Sequence, residues 1–85
     1  MKSNEIVSEN IFEIIRNQIK INDPPETKLT YDRLRMKGLN DIQTMKMIAQ
    51  CLSIELFEML KFKKPYNGER YVRNLKKLPE DPFDE

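Results

Sequence analysis

The run Asn22-Asp23-Pro24-Pro25-Glu26 divides the first half of the chain into two helices. Asp23 is placed to accept hydrogen bonds from the free amides of the next helix, and Pro24 suits a first helical position, where no backbone bond is lost. Glu26, three residues after Asp23, completes an acidic capping box. Because a residue before proline avoids the α region, the first helix cannot continue directly into the second. The run therefore predicts a forced turn.

Apolar residues at helical spacing flank this turn on both sides. In the first helix, over residues 3 to 21, the buried face is predicted to contain Val7, Ile11, Phe12, Ile14, Ile15 and Ile19. The second helix is predicted to run from about Pro24 to Lys37 and to bury Leu29, Leu34 and Met36. Gly38 supplies the left-handed residue that ends it. Both helices are amphipathic and need a partner surface.

Two further helices follow. Asn40 and Gln43 repeat the start signal, so a long, apolar and central third helix is predicted over residues 41 to 62. Asn67 begins a short fourth helix, which Pro79 ends. The chain is therefore predicted to be all-α, a compact orthogonal or antiparallel bundle of three longer helices and one short C-terminal helix. Residues 1 to 79 form its single domain, and residues 80 to 85 form an acidic tail.

The residue types present exclude most catalytic and metal chemistry. The 85 residues include no histidine, one cysteine and two distant glycines, whereas nucleophilic triads, zinc sites and phosphate loops need these residues together. Glu55 and Glu58 are expected to be solvated or ion-paired, and Tyr66 and Tyr71 to pack with a solvated hydroxyl. Cys51 is expected to be a buried, unreactive thiol. We therefore predict no enzyme activity, no cofactor and no metal ion.

The chain also lacks sequence features of export or membrane insertion. No apolar run approaches the roughly 20 residues that cross a bilayer. Residues 1 to 5 are not a basic region followed by an apolar block. A single cysteine agrees with a reducing compartment. These features predict a cytoplasmic protein without a membrane partner.

Three apolar residues on the polar side of the third helix are the first candidate site. Phe57 projects onto a stripe of polar residues, and Met47 and Ile54 lie beside it. One interpretation is that another helix, or Phe83 in the tail, covers them. The other is that they form the interface of a non-enzymatic interaction domain, which binds a protein partner or a second copy in a homodimer. The pattern alone does not separate the two.

A basic segment over residues 61 to 78 is the second candidate site. It contains seven basic residues and one acid, which gives a local charge of +6 in a chain of net charge +1. The candidate binding residues are Lys63, Lys64, Arg70, Arg73 and Lys77. Interleaved aromatic residues make nucleic-acid binding the alternative function. The acidic tail could instead lie over this segment, and an acidic peptide partner, or no partner at all, is favoured over nucleic acid there. A weaker indication of nucleic-acid binding is that residues 47 to 54 faintly resemble a helix-turn-helix, which needs a break near Ser53.

The order and spacing of several short motifs resemble those of a known family. The motifs are Asn17-Gln18-Ile19, Asn22-Asp23-Pro24-Pro25-Glu26, Arg33-Leu34, Gly38, Ile48-Ala49, Leu52, Glu55, Leu60-Lys61, Pro65-Tyr66-Asn67, Arg70-Tyr71, Leu75, Leu78 and Pro79. Over residues 11 to 79 the chain resembles a family of small bacterial helical domains of unknown function. The resemblance implies an all-helical fold and no activity. Relatives often carry histidines near the positions of Phe12 and Lys46, so no site residue is transferred.

Overall fold

A computed structural model describes the backbone of residues 2 to 80 and the side chains of residues 10 to 80. This part of the chain contains four α-helices and no strand. They are α1 (Lys2–Ile21), α2 (Pro25–Met36), α3 (Asp41–Phe62) and α4 (Gly68–Lys77). Helices α2 and α3 each pack against all three others. The predicted all-α bundle is confirmed, and α3 is central as expected. Val7 and Phe83 lie outside the described side chains.

Two residues with positive φ end the first two helices. Asn22 (φ 57°) follows α1, and Gly38 (φ 105°) follows α2. In each case the amide of that residue and the next amide donate to carbonyls in the last helical turn. These bonds satisfy backbone acceptors that a helix end leaves free. The stop at Gly38 is confirmed, and Asn22 acts in the same way because asparagine tolerates the left-handed conformation.

The prediction that Asp23 caps α2 is wrong. The helix begins at Pro25, and Pro24 occupies the capping position with extended backbone and no side-chain cap bond. Asp23 therefore lies one residue too early, and Glu26 is only two residues after the capping position. The two prolines make the boundary instead, because neither has an N–H group that would need a partner.

The starts of α3 and α4 follow the sequence. The Asn40 side chain accepts from the Gln43 amide at 2.8 Å, and the Gln43 side chain accepts from the Asn40 amide at 2.9 Å. The Asn67 side chain accepts from the Arg70 amide at 3.0 Å. Helix α3 then continues unbroken past Ser53. The helix-turn-helix interpretation of residues 47 to 54 is therefore wrong.

The core is built from one side of each helix. Its buried apolar residues are Ile11, Ile15, Leu34, Met45, Ile48, Cys51, Leu52, Tyr71, Leu75 and Leu78. Phe12 and Ile19 pack against its edge as predicted. Ile14 is exposed instead. The buried face of α1 is thus narrower than its apolar pattern suggested.

Helix α2 turns a different face inward from the predicted one. Leu34 is buried as expected, but Leu29 is 66% and Met36 88% exposed. Thr27 and Thr30 are buried in their place. These threonines share a face with Leu34, whereas Leu29 and Met36 lie elsewhere on the helix. Burial is tolerated at Thr27 because its hydroxyl has a hydrogen-bond partner inside the bundle.

Candidate interaction surface at the end of the third helix

Two of the predicted interface residues border a groove on the outer side of α3. The groove has a volume of about 510 Å³ and is lined by Ser53, Ile54, Phe57 and Glu58. Phe57 is 54% exposed, and Ile54 is half-buried. Met47, about two turns earlier, packs against the core. The structure therefore brings Ile54 and Phe57 together and uses Met47 for packing at the edge of this surface.

The last turn of α3 is more exposed than the middle of the helix. Met59 and Phe62 follow the buried residues Leu52 and Glu55 by seven positions, so they lie on the same side of the helix. They are nevertheless 37% and 50% exposed, and Leu60 is 77% exposed. We call Met59, Leu60 and Phe62 the α3 overhang. Its apolar side chains are not needed for the core.

Lysines and aromatic rings alternate around the α3 overhang. The rings of Phe57 and Phe62 meet edge to face, with centroids 6.0 Å apart. The Lys61 Nζ lies 5.4 Å from the centroid of the Phe57 ring, and the Lys64 Nζ lies 5.8 Å from that of Phe62. Such cation–π contacts contribute roughly 0.5–1 kcal/mol at exposed sites. Apolar and cationic groups therefore share one surface.

The five candidate residues of the basic segment have different environments. Four of them are exposed: Lys63, Lys64, Arg73 and Lys77. The Lys64 Nζ lies 3.8 Å from the Glu58 carboxylate. Arg70 is bound to Glu55 at 2.6 Å. The structure does not present the five as one free cationic patch.

Glu55 is a buried acid that fixes the start of α4 against α3. Its carboxylate accepts from the Arg70 Nε at 2.6 Å, from the Arg70 Nη2 at 3.1 Å and from the Asn67 amide at 3.0 Å. The hydrogen bond with Glu55 raises the pKa of Arg70 above its ordinary value. The expected ion pairing of Glu55 is confirmed. Its complete burial was missed because an acid is rarely buried without a partner, although the apolar residues Ile48, Cys51, Leu52 and Met59, at helical spacing from it, indicate a buried position.

Tyr71 forms a second buried polar contact. Its hydroxyl donates to the Gln18 Oε1 at 2.8 Å, and the Thr27 hydroxyl donates to the same oxygen at 2.8 Å. Burial raises the pKa of the Tyr71 hydroxyl. The prediction of a solvated hydroxyl is therefore wrong for Tyr71, although Tyr66 is exposed as expected. Tyr71 is not placed to stack on a nucleic-acid base.

A wider groove lies between the turn after α1 and helix α4. It has a volume of about 600 Å³ and is lined by Asp23, Pro24, Tyr66, Gly68, Glu69, Val72, Arg73 and Lys76. Two motifs of the family resemblance, the run from residue 22 to 26 and the one from residue 65 to 67, meet here. Its two acids balance its two basic residues. The groove therefore has no net charge that would select an ionic ligand.

The remaining reactive group, Cys51, is enclosed by the core. Burial raises the pKa of its thiol to about 12, so the thiolate is scarce at neutral pH. Within the described residues, no three His, Cys, Asp or Glu side chains are grouped so that they could hold a metal ion.

No family model, curated protein or solved structure matches this chain. In the part of the chain that the structure describes, no helix combines the length and apolar character that crossing a membrane requires. Function must therefore be inferred from the surface chemistry.

Proposed function

We propose that this protein is a small, non-enzymatic interaction domain that pairs with a second copy of itself through the outer side of α3. The observation that carries the proposal is Phe57, which is 54% exposed at the border of a groove on a domain with little apolar surface to spare. Exposed apolar patches on small domains mark contact sites. A partner that covers Phe57 removes this surface from water.

An antiparallel pair of α3 helices fits the residues on this surface. Positions 47, 54 and 61 are spaced seven residues apart, and positions 50 and 57 lie three residues after positions 47 and 54. This alternation of three and four residues is the spacing of a helix–helix seam. A two-fold axis near residues 55 and 56 sets Ile54 of one copy opposite Phe57 of the other. The same axis sets Gln50 opposite Lys61. Each Phe57 then enters the groove of the other copy.

The expected affinity is low. Burying about half of two Ile54 and two Phe57 side chains contributes roughly 3–6 kcal/mol, and association itself costs several kcal/mol. We expect a dissociation constant on the order of 0.1–1 mM, which corresponds to a net gain of about 4–5.5 kcal/mol. The four half-buried side chains alone do not reach this value after the cost of association, so the rest of the seam, including Met47, Gln50 and Lys61, has to supply the remainder. The pairing would matter at high local concentration, or where other contacts bring copies together.

The nucleic-acid alternative has less support. Arg70 is neutralised by a buried partner, and Tyr71 is inside the core. The resemblance to small bacterial helical domains stays a prediction and adds no partner.

Sedimentation equilibrium tests the proposal. Wild type is expected to show reversible dimerisation between about 0.05 and 1 mM. Ile54→Lys places a charge in the seam and is expected to weaken dimerisation at least tenfold. Leu29→Lys is the matched control, because Leu29 is also an exposed apolar residue but lies on α2. A wild type that stays monomeric to about 1 mM, or equal losses in both variants, would refute the proposal.

A further inference from the structure

We propose that the α3 overhang and the lysines beside it bind the surface of an anionic lipid bilayer. This site adjoins the seam of Ile54 and Phe57 and shares Lys61 with it, but the inference does not rest on self-association. The expectation of no membrane partner came from the lack of a spanning segment. A peripheral contact needs no span.

The α3 overhang exposes apolar side chains on several sides of one helical turn. Met59 and Phe62 occupy helical positions that are buried two turns earlier, but they are 37% and 50% exposed. Leu60 is the most exposed apolar side chain of α3. Tyr66, which follows in the loop, is also exposed. Apolar groups on several sides of one projecting turn suit insertion among lipid headgroups better than contact with a single flat protein face.

The cationic side chains beside the overhang are lysines and not arginines. All three basic residues within positions 57 to 67 are lysines: Lys61, Lys63 and Lys64. Lysine is depleted in the centres of protein interfaces, where arginine is enriched. At a bilayer, a lysine stem can lie along apolar groups while its ammonium reaches lipid phosphates. Each such lysine strengthens binding to an anionic surface about fivefold.

The acid within positions 57 to 67 does not cancel the charge of the three lysines. Glu58 is the one acid among positions 57 to 67, and its carboxylate lies 3.8 Å from the Lys64 Nζ. Glu55, one turn earlier, is fully buried and bound by Arg70. Positions 57 to 67 therefore have a charge of three minus one, or +2. A positive apolar tip is complementary to a negative bilayer surface.

The aliphatic side chains favour lipid over nucleic acid. Single-stranded nucleic acids bind through cations and through rings that stack on bases. Phe62 and Tyr66 satisfy that description, but Leu60 and Met59 supply no stacking face. Both aliphatic residues gain from transfer into the acyl-chain boundary of a bilayer.

Vesicle co-sedimentation tests the site at about 1 µM protein, where the proposed self-association is not populated. The probes are vesicles of phosphatidylcholine with about 30% phosphatidylserine, and vesicles of phosphatidylcholine alone. Wild type is expected to bind the anionic vesicles in about 0.1 M salt and to dissociate in about 1 M salt. Leu60→Glu is expected to weaken binding at least tenfold, whereas the matched control Leu29→Glu, on α2, keeps it.

A second variant removes charge without changing the apolar tip. Lys63→Gln combined with Lys64→Gln is expected to weaken binding roughly 25-fold, at about fivefold for each lysine. Both lysines are exposed, and circular dichroism checks that each variant is folded. Four outcomes would overturn the proposal: no binding to anionic vesicles, equal binding to neutral vesicles, equal losses in Leu60→Glu and Leu29→Glu, or binding to a single-stranded oligonucleotide in place of vesicles.

Discussion

Removing Arg70 tests whether the buried Glu55 holds α4 in place. In Arg70→Met the carboxylate of Glu55 keeps the Asn67 amide but loses the two donors of the guanidinium, at 2.6 and 3.1 Å. Breaking a buried ion pair on one side costs about 3–5 kcal/mol, and the lower end applies because Arg70 is partly exposed. A chain of this length has a total stability of roughly 4–13 kcal/mol. The variant is therefore expected to stay folded with about 1–10 kcal/mol of stability and to unfold at a clearly lower urea concentration than wild type.

The companion variant separates charge loss from packing loss. Glu55→Gln keeps an acceptor for the Asn67 amide and removes the charge, so it is expected to cost about 1.5–3 kcal/mol. The double variant combines Arg70→Met with Glu55→Gln. Because it has no buried carboxylate left without a partner, its total loss of stability is expected to be about 3–4 kcal/mol. That total is less than the sum of the single losses, and it implies a coupling energy of about 2 kcal/mol.

Urea unfolding followed by circular dichroism measures all four proteins of this cycle. Arg73→Met is the control, since Arg73 is an exposed arginine one turn later on the same helix and is expected to change stability by less than about 0.5 kcal/mol. The role assigned to Glu55 would be refuted if the single losses added within about 0.5 kcal/mol, or if Arg70→Met cost no more than the control.

Three further predictions concern the local structure. Asn40→Ala removes one half of the capping box of α3 and is expected to cost about 1 kcal/mol in urea unfolding; an unchanged midpoint would contradict that role. The hydrogen bonds from Arg16 and then Tyr31 lower the pKa of Asp41, so its stabilising effect is present above the unfolded-state pKa of about 4 and is lost as pH falls through the folded-state value. Wild type is expected to be about 0.2–1 kcal/mol more stable than Asp41→Asn near neutral pH, because the ion pair of Arg16 and Asp41 is exposed. In urea unfolding this difference should vanish at low pH, and a full difference that persists there would refute the role assigned to Asp41. Cys51 should react with a thiol reagent only as fast as the fold opens, and rapid labelling of the native protein would show that the thiol is accessible.

Helix boundaries were the most predictable part of the fold. Gly38, Asn40 and Asn67 act through their own backbone or through an amide three residues away, so their roles follow from local sequence. Asp23 shows the limit of this reasoning, because two successive prolines moved the start of α2 by one residue. Burial was less predictable. Leu29 and Met36 are apolar but exposed, whereas Thr27 and Thr30 are buried. The face of α2 that turns inward depends on how the helices pack, which the apolar pattern of one helix does not specify.

The candidate sites were only partly predictable, because they too depend on how the helices pack. Phe57 interrupts a polar stripe and Ile54 lies beside it, which is why the sequence singles them out, and both border the α3 groove. The sequence predicts one basic patch over residues 61 to 78, because adding up charges along the chain takes no account of which residues pair in the fold. Arg70 left that patch by pairing with Glu55, fifteen positions away. A pairing over that distance depends on how α3 and α4 are placed, which helical periodicity does not specify.

Backbone amide NMR spectra on dilution locate the proposed contact most directly. Between about 1 mM and 0.05 mM, the spectra are expected to change at Ser53, Ile54, Phe57 and Glu58, and to stay constant on the outer face of α2 around Leu29. Spectra that do not change with concentration, or that change around Leu29 and not around Phe57, would contradict pairing through the outer side of α3.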